Sequence, residues 1–193
     1  MNRHSILVVA DWAHHSWVGK QRPVRSERAR ADASAQLLGR YPQLAEAAAI
    51  PLQWFAAPLA RPACTRLMRL CAALASARTL RLVVEAGARA QFSRATGLPS
   101  LAQLQRHPRG DFPDLHFDAP LDCFNRHALT AAGLALALRA TPGAQQRLWL
   151  QLRLPHQYSQ TAAQWKLPAV APQAARKLLE DAMALLHARR VPC

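Results

Sequence analysis

The chain has 193 residues, 51% of them hydrophobic, and a formal net charge of +14 from 25 basic and 11 acidic residues. This length and apolar content are typical of one globular domain and exclude a disordered chain. No uninterrupted apolar run reaches about 18 residues, and Asp11 and two histidines interrupt the N-terminal apolar stretch. The sequence therefore predicts neither a transmembrane helix nor a signal peptide, and we expect a cytoplasmic protein.

The excess of positive charge is typical of proteins that bind nucleic acid or are attracted to anionic membranes. Here the basic residues are nearly all arginine and are spread along the chain. Their one local concentration comprises Arg22, Arg25, Arg28 and Arg30. We expect chiefly a solvated basic surface, and next to that a surface for an acidic partner.

The four cysteines do not indicate a metal or redox site, because no two of them are spaced as C-x-x-C. Cys64 and Cys71 are seven residues apart, two turns along one helical face, where a free thiol packs as a small hydrophobic group. We expect core packing at these positions and no metal or cofactor.

In chain order, the first elements are two helices and a proline-rich region. Residues 5–18 predict a helix of mixed quality, and residues 26–39 predict a second with a thin apolar stripe. Prolines then interrupt residues 42–62.

From residue 63 onward, apolar residues recur every three or four positions, which predicts an α-helix. The pattern continues helically over 80–94, where Arg81, Glu85 and Arg89 would pair at i, i+4. Gly97 is predicted to be the C-cap of this helix, and a short helix is expected from about 99 to 106.

A proline-rich loop is expected at 107–120, followed by a helix at 121–139 whose small residues would let another element approach closely. Residues 141–143 (Thr-Pro-Gly) end it. Residues 147–154 (RLWLQLRL) alternate leucine with other residues, which predicts a half-buried β-strand. A loop at 156–171 then leads to a last helix that begins at Pro172.

These elements predict a mainly α fold, a compact helical domain with a minor β element near 147–154. We assign residues 1–193 to a single domain and leave open whether residues 1–60 form a separate N-terminal subregion.

The motifs of common enzymes and nucleotide-binding loops are absent from the sequence. His14 and His15 are adjacent, and neighbouring residues on a helix face apart. We therefore expect no enzyme, no catalytic or cofactor-binding residue, and no small-molecule substrate.

One cluster places four of the eleven acidic residues within twelve positions, together with a histidine. Metal binding or proton transfer is the least favoured interpretation. Capping of the next helix by Asp118 or Asp122, with local salt bridges, is favoured over a partner-docking patch. As a functional hypothesis, partner binding is assigned to Asp111, Asp114, His116, Asp118 and Asp122.

A nucleic-acid-binding module would need basic residues interleaved with stacking aromatic residues, or a helix-turn-helix. The five tryptophans, at 12, 17, 54, 149 and 165, are dispersed, which favours core or interface positions. A basic nucleic-acid-binding protein remains the alternative to a protein-binding function.

Residues 60–190 resemble the SctK (YscK) proteins of bacterial type III secretion systems. The length of the chain and its Ala/Arg content are most similar to those of the hrp-type branch. The most specific similarity is the block GLALALRATP…RLWLQLRLP at 133–155. The chain is more basic than expected of the family's members from animal pathogens.

The resemblance implies a mostly helical, non-catalytic adaptor of the cytosolic sorting platform, peripheral to the inner membrane. It implies two protein partners, the cytoplasmic domain of an SctD-like inner-membrane ring protein and an SctQ-like pod protein that leads to the export ATPase. It implies no cofactor, no direct membrane contact and no individual binding residue.

Overall fold

Helices make up most of the residues that the computed structural model describes, which are 9–20, 23, 25–45, 59–111, 125–164 and 170–188. The α-helices with both ends in these ranges are α1 (Glu27–Arg40), α2 (Arg61–Ala75), α3 (Ala77–Arg81), α4 (Ala86–Thr96), α5 (Ala102–Gln105), α6 (Arg126–Ala140), α7 (Ala144–Arg153), α8 (His156–Gln164) and α9 (Pro172–His187). Residues 9–12 are also helical, and short 3-10 helices lie at His15–Val18, Pro42–Leu44 and Pro108–Asp111. The prediction of a mainly α, compact helical domain is confirmed. No helix in the described ranges is both long and apolar enough to cross a bilayer.

Helices α2 and α6 form the centre of the fold and have the most extensive contact of any pair, while α9 packs on both and α8 packs on α6. Residues 131–137 of α6 are all buried. Gly133 lies directly against the backbone of α2, where a Cβ atom would overlap the carbonyl of Met68. The small-residue face predicted for this helix therefore allows two backbones to approach closely.

Local sequence signals account for several helix ends. The Ser26 side chain accepts a hydrogen bond from the Ala29 amide at 3.2 Å and caps α1. Gly97 has φ +70° and ends α4 in the left-handed conformation, as predicted. Asn125, whose side chain accepts from the Ala128 amide at 2.9 Å, caps α6. The suggestion that Asp118 or Asp122 provides this cap is therefore wrong.

The β-strand predicted at 147–154 is wrong, because most of this segment belongs to α7. In a helix, residues two apart point in nearly opposite directions, whereas residues four apart share a face. Leu148 and Leu152 accordingly pack into one hydrophobic cluster, and Leu150 packs into another. A helix buried on two sides thus has the same leucine alternation as a strand buried on one side.

The cluster that includes Leu148, Trp149 and Leu152 fastens the N-terminal residues to α7. Its other members include Trp17 and Leu37. The larger cluster contains the core of α2, α6 and α9. Helix α7 therefore separates two groups of buried apolar side chains and contributes to both.

The helix predicted over 80–94 is interrupted, because α3 ends at Arg81 and α4 begins at Ala86. The adjacent β-branched residues Val83 and Val84 have low helix propensity, and Glu85 is extended (φ −62°, ψ 128°). The expected i, i+4 pairing through Glu85 is therefore not formed within one helix. The loop expected at 156–171 is also wrong, since it contains α8, whose buried stripe comprises only Ser159 and Ala162.

Cys64 and Cys71 pack in the core, as predicted, and burial raises the pKa of each thiol to about 12. Trp17 and Trp149 are buried, whereas Trp12 is partly buried and meets Trp149 edge to face at 6.0 Å. The core positions expected for these tryptophans are therefore confirmed at two of them. Cys123, Cys193, Trp54 and Trp165 lie outside the described residues.

Arginine side chains fasten the helices to one another through backbone carbonyls. Arg61 donates to the carbonyls of Asp11, Trp12 and Ala13 at 2.7, 3.2 and 2.7 Å. Arg153 donates to the carbonyls of Trp12 and Leu59 at 3.3 and 2.8 Å. Long-range bonds of the same kind are made by Arg66, Arg81, Arg126 and Arg139. These six arginines therefore have a structural role, while Arg81 and Arg126 also remain exposed.

Candidate functional site

Of the five residues predicted to bind a partner, the described part of the chain contains Asp111 alone; Asp114, His116, Asp118 and Asp122 lie outside it. Asp111 ends the 3-10 helix Pro108–Asp111 and is exposed. Its Oδ1 atom lies 2.8 Å from Nη1 of Arg81, and the two side chains form an exposed ion pair. Asp111 is thereby placed beside the break between α3 and α4.

The Arg81 guanidinium is held by more than this ion pair. Its Nε donates to the Gln105 carbonyl at 3.0 Å and its Nη2 to the His107 carbonyl at 3.1 Å. It lies so closely on Gly110 that a Cβ atom there would overlap it. An exposed ion pair alone contributes little free energy, so the two carbonyl bonds and the close packing fix this side chain.

We name the segment between α3 and α4 the 82–85 link. Hydrogen bonds fix its backbone, and two of its apolar side chains are exposed. The Gln105 side chain donates to the carbonyl of Leu80 at 2.9 Å and to that of Val83 at 3.4 Å. Val83 is buried, whereas Leu82 is 77% exposed and Val84 is 84% exposed. Two large aliphatic side chains therefore project into solvent from an anchored backbone.

This arrangement suits contact with another protein. Burying one exposed leucine or valine side chain stabilises a complex by roughly 1.5–3 kcal/mol. An anchored segment also loses little conformational entropy when a partner covers it. The adjacent Arg81–Asp111 pair supplies polar groups at the edge of the apolar pair, as in the rim of a protein interface.

The sequence predicts a continuous helix over 80–94, and this prediction misses the 82–85 link. The available signal was the Val83-Val84 pair followed by Glu85 and Gly87, since two adjacent β-branched residues and a glycine disfavour a helix. Exposure of Leu82, by contrast, depends on which face the rest of the fold covers, and no local pattern encodes it.

A second group of polar residues lies where the N-terminal segment meets α2. His14 Nδ1 accepts from the Ser16 amide at 3.2 Å and caps the 3-10 helix His15–Val18. The pKa of His14 is lowered to about 4, chiefly by burial and also by the charges of His15 and Arg61. The expectation that His14 and His15 face apart is wrong, because their ring centroids are 4.0 Å apart. His14 is an extended cap residue outside the 3-10 helix, so the expectation for two residues within one helix does not apply to it.

Within the described ranges, no three His, Cys, Asp or Glu residues are grouped so that they could hold a metal ion. Comparison with protein-family models, with curated proteins and with solved structures finds no match to this chain.

Proposed function

We propose that the chain is a non-catalytic structural adaptor of the cytosolic sorting platform of a bacterial type III secretion system. It links the cytoplasmic domain of an SctD-like inner-membrane ring protein to an SctQ-like pod protein, and through the latter to the export ATPase. The observation that carries the adaptor function is the exposure of Leu82 and Val84 on an anchored link. The resemblance of residues 133–155 to SctK proteins supplies the secretion system.

The 82–85 link is the contact that we assign to the ring protein's cytoplasmic domain. Its apolar pair would supply most of the binding free energy, because water is removed from both side chains. The neighbouring Asp111, the described member of the predicted partner-binding cluster, would lie at the edge of this contact. The ion pair with Arg81 orients its carboxylate without burying it.

Binding to purified partners tests the proposal. The wild type is titrated by calorimetry with the ring protein's cytoplasmic domain and with the pod protein of the same bacterium. The double variant Leu82→Ser/Val84→Ser should bind the ring domain at least about thirtyfold more weakly, because two apolar side chains are lost. Its melting temperature should stay unchanged, since neither side chain is buried.

The matched control is Ala35→Ser/Gln36→Ser, at two exposed positions on α1, which should bind as the wild type does. Failure of the wild type to bind either partner would contradict the secretion-system assignment. Equal weakening in both double variants would contradict the assignment of the 82–85 link.

The nucleic-acid alternative makes a separate prediction. Binding of duplex DNA or RNA would fall steeply and linearly with the logarithm of the salt concentration, because counterions are released from the phosphates. A titration at low salt distinguishes the two functions. Partner binding without nucleic-acid binding would support the adaptor, and the reverse result would contradict it.

A further inference from the structure

Four helices that form a contiguous set of contacts carry basic residues without acidic ones. Helices α2, α4, α6 and α8 contain no aspartate or glutamate. They contain seven arginines, which are Arg61, Arg66, Arg69, Arg89, Arg94, Arg126 and Arg139. The positive charge on these helices is therefore not balanced by carboxylates on the same elements.

The side chains of three of these arginines come together at the C-terminal end of α4. Arg66 donates to the carbonyls of Thr96 and Gly97 at 3.4 and 3.3 Å. Arg126 donates twice to the carbonyl of Arg94, at 3.3 and 3.1 Å. Arg69 lies within electrostatic reach of both Arg66 and Arg126. We name Arg66, Arg69 and Arg126 the arginine surface.

Arg69 is the member of this surface whose charge is least compensated. Its side chain is partly buried, and its Nε atom is removed from solvent without a hydrogen-bond partner in the described structure. Burial lowers the pKa of Arg69, and the charges of Arg126 and Arg66 lower it further, opposed by Tyr158. No carboxylate in the described ranges lies within ion-pair distance of it. A partly buried guanidinium that has no carboxylate partner among the described residues gains a favourable interaction when a ligand carboxylate binds to it.

We propose that the arginine surface is a second protein-docking site, which binds an acidic segment of a partner through an aspartate or glutamate side chain placed against Arg69. Guanidinium groups bind carboxylates with two parallel hydrogen bonds, which gives both geometry and affinity. This site lies at the opposite end of α4 from the 82–85 link. Since α4 has 11 residues, the two sites are separated by about 16 Å. The inference concerns a different surface from that of the proposed function and does not depend on the secretion-system assignment.

An acidic protein segment fits this surface better than a nucleic acid does. Single strands need open aromatic faces on which bases stack. In the described part of the chain, the rings of His127, next to Arg126, and of Tyr158 contact each other with centroids 5.0 Å apart. A partly buried guanidinium is also reached more readily by a flexible glutamate side chain than by the phosphates of a stiff duplex. Charge and shape together therefore favour a carboxylate.

Fluorescence anisotropy with a labelled peptide of alternating glutamate and glycine tests the site in the full chain. Arg69→Gln should weaken binding at least about tenfold, because a charge-assisted hydrogen-bond pair is lost. Its melting temperature should not fall, since Arg69 makes no hydrogen bond with the described residues. The control variants Arg28→Gln and Arg176→Gln remove the same charge at exposed positions.

At physiological salt the Debye length is about 8 Å, so these remote controls should change the affinity less than about twofold. A peptide with glutamine in place of glutamate should not bind. Equal losses in all three variants would show attraction to the net charge alone and would overturn the proposal. Absence of peptide binding would also overturn it, as would a duplex or single strand of equal charge that binds more tightly and loses affinity in Arg69→Gln.

Discussion

Arg81 and Gln105 each satisfy a backbone carbonyl at the end of the other's helix. Arg81 donates from Nε to the Gln105 carbonyl at 3.0 Å, and Gln105 donates from Nε2 to the carbonyl of Leu80, the residue before Arg81, at 2.9 Å. The last carbonyls of a helix have no partner within it, so this exchange stabilises the ends of α3 and α5 together. The backbone at the start of the 82–85 link is consequently fixed by these hydrogen bonds.

Removing the Gln105 amide should loosen the link without unfolding the protein. Gln105→Ala leaves the carbonyls of Leu80 and Val83 without this donor, at a cost of about 1 kcal/mol. Amide hydrogen exchange at residues 82–85 should then accelerate about fivefold, while the melting temperature changes little. The control is Gln103→Ala, which lies on the same helix and is exposed. Equal exchange rates in the two variants would contradict the role given to Gln105.

The contact between α2 and α6 requires glycine at position 133. Gly133→Ala should reduce the free energy of unfolding by about 1–3 kcal/mol or more, because the new methyl group would meet the rigid backbone of Met68. Gly39→Ala is the matched control, since no atom lies within 4 Å of a Cβ there. That change should stabilise α1 by about 0.5–1 kcal/mol. Denaturant unfolding measures both, and a neutral Gly133→Ala would contradict the close approach.

Trp149 distinguishes the helix at 144–153 from a strand with leucines on its buried face. In such a strand Trp149 would be on the other face, and its truncation would cost little. In α7 the Trp149 side chain is 3% exposed and lies in the cluster that also contains Leu148 and Leu152. Trp149→Ala should therefore cost about 3–5 kcal/mol, whereas Gln151→Ala should remain within about 0.5 kcal/mol of the wild type. Similar small losses at both positions would favour the strand.

The low pKa of His14 makes stability depend on pH. The unfolded chain binds a proton at this histidine below about pH 6.5. The folded protein does so only near pH 4, because burial and the charges of His15 and Arg61 disfavour the cation. Below pH 6.5 the unfolded state thus binds more protons, so this contribution is complete above pH 6.5 and is lost as the pH falls toward 4.

His14→Asn keeps an acceptor at the cap position and removes the titration. The difference in melting temperature between pH 7.5 and pH 5 should therefore be smaller in this variant than in the wild type. Because His14 is substantially solvated, we expect a modest difference. The same pH dependence in both proteins would show that other groups cause it.

Helix α2 could be predicted from the sequence, whereas helices α7 and α8 could not. The spacing of Cys64, Leu67 and Cys71 identifies α2, since polar and apolar residues segregate there. Helix α7 is buried on two sides, so its leucine pattern fits two structures equally well. Helix α8 has a thin apolar stripe, which a local reading cannot distinguish from a loop.

The candidate site was less predictable than the fold. Asp111 was singled out because acidic residues are rare in this chain and cluster there, and composition alone reveals that. Leu82 was not singled out from the sequence, because apolar side chains are normally buried and tertiary packing decides which of them are exposed. That Arg61 and Arg153 bind carbonyls of one N-terminal segment is likewise a long-range relationship, which arginine content does not encode.

The use of carbonyls in place of carboxylates as arginine partners has a consequence for ionic strength. Three ion pairs join described residues to one another, Arg30–Asp11, Arg81–Asp111 and Lys177–Asp181, and each includes at least one exposed side chain. Mobile ions weaken such pairs, but they weaken the mutual repulsion of a chain with charge +14 much more. Raising sodium chloride from about 50 to about 500 mM should therefore increase the melting temperature, so the folded protein should be more stable in the more concentrated salt.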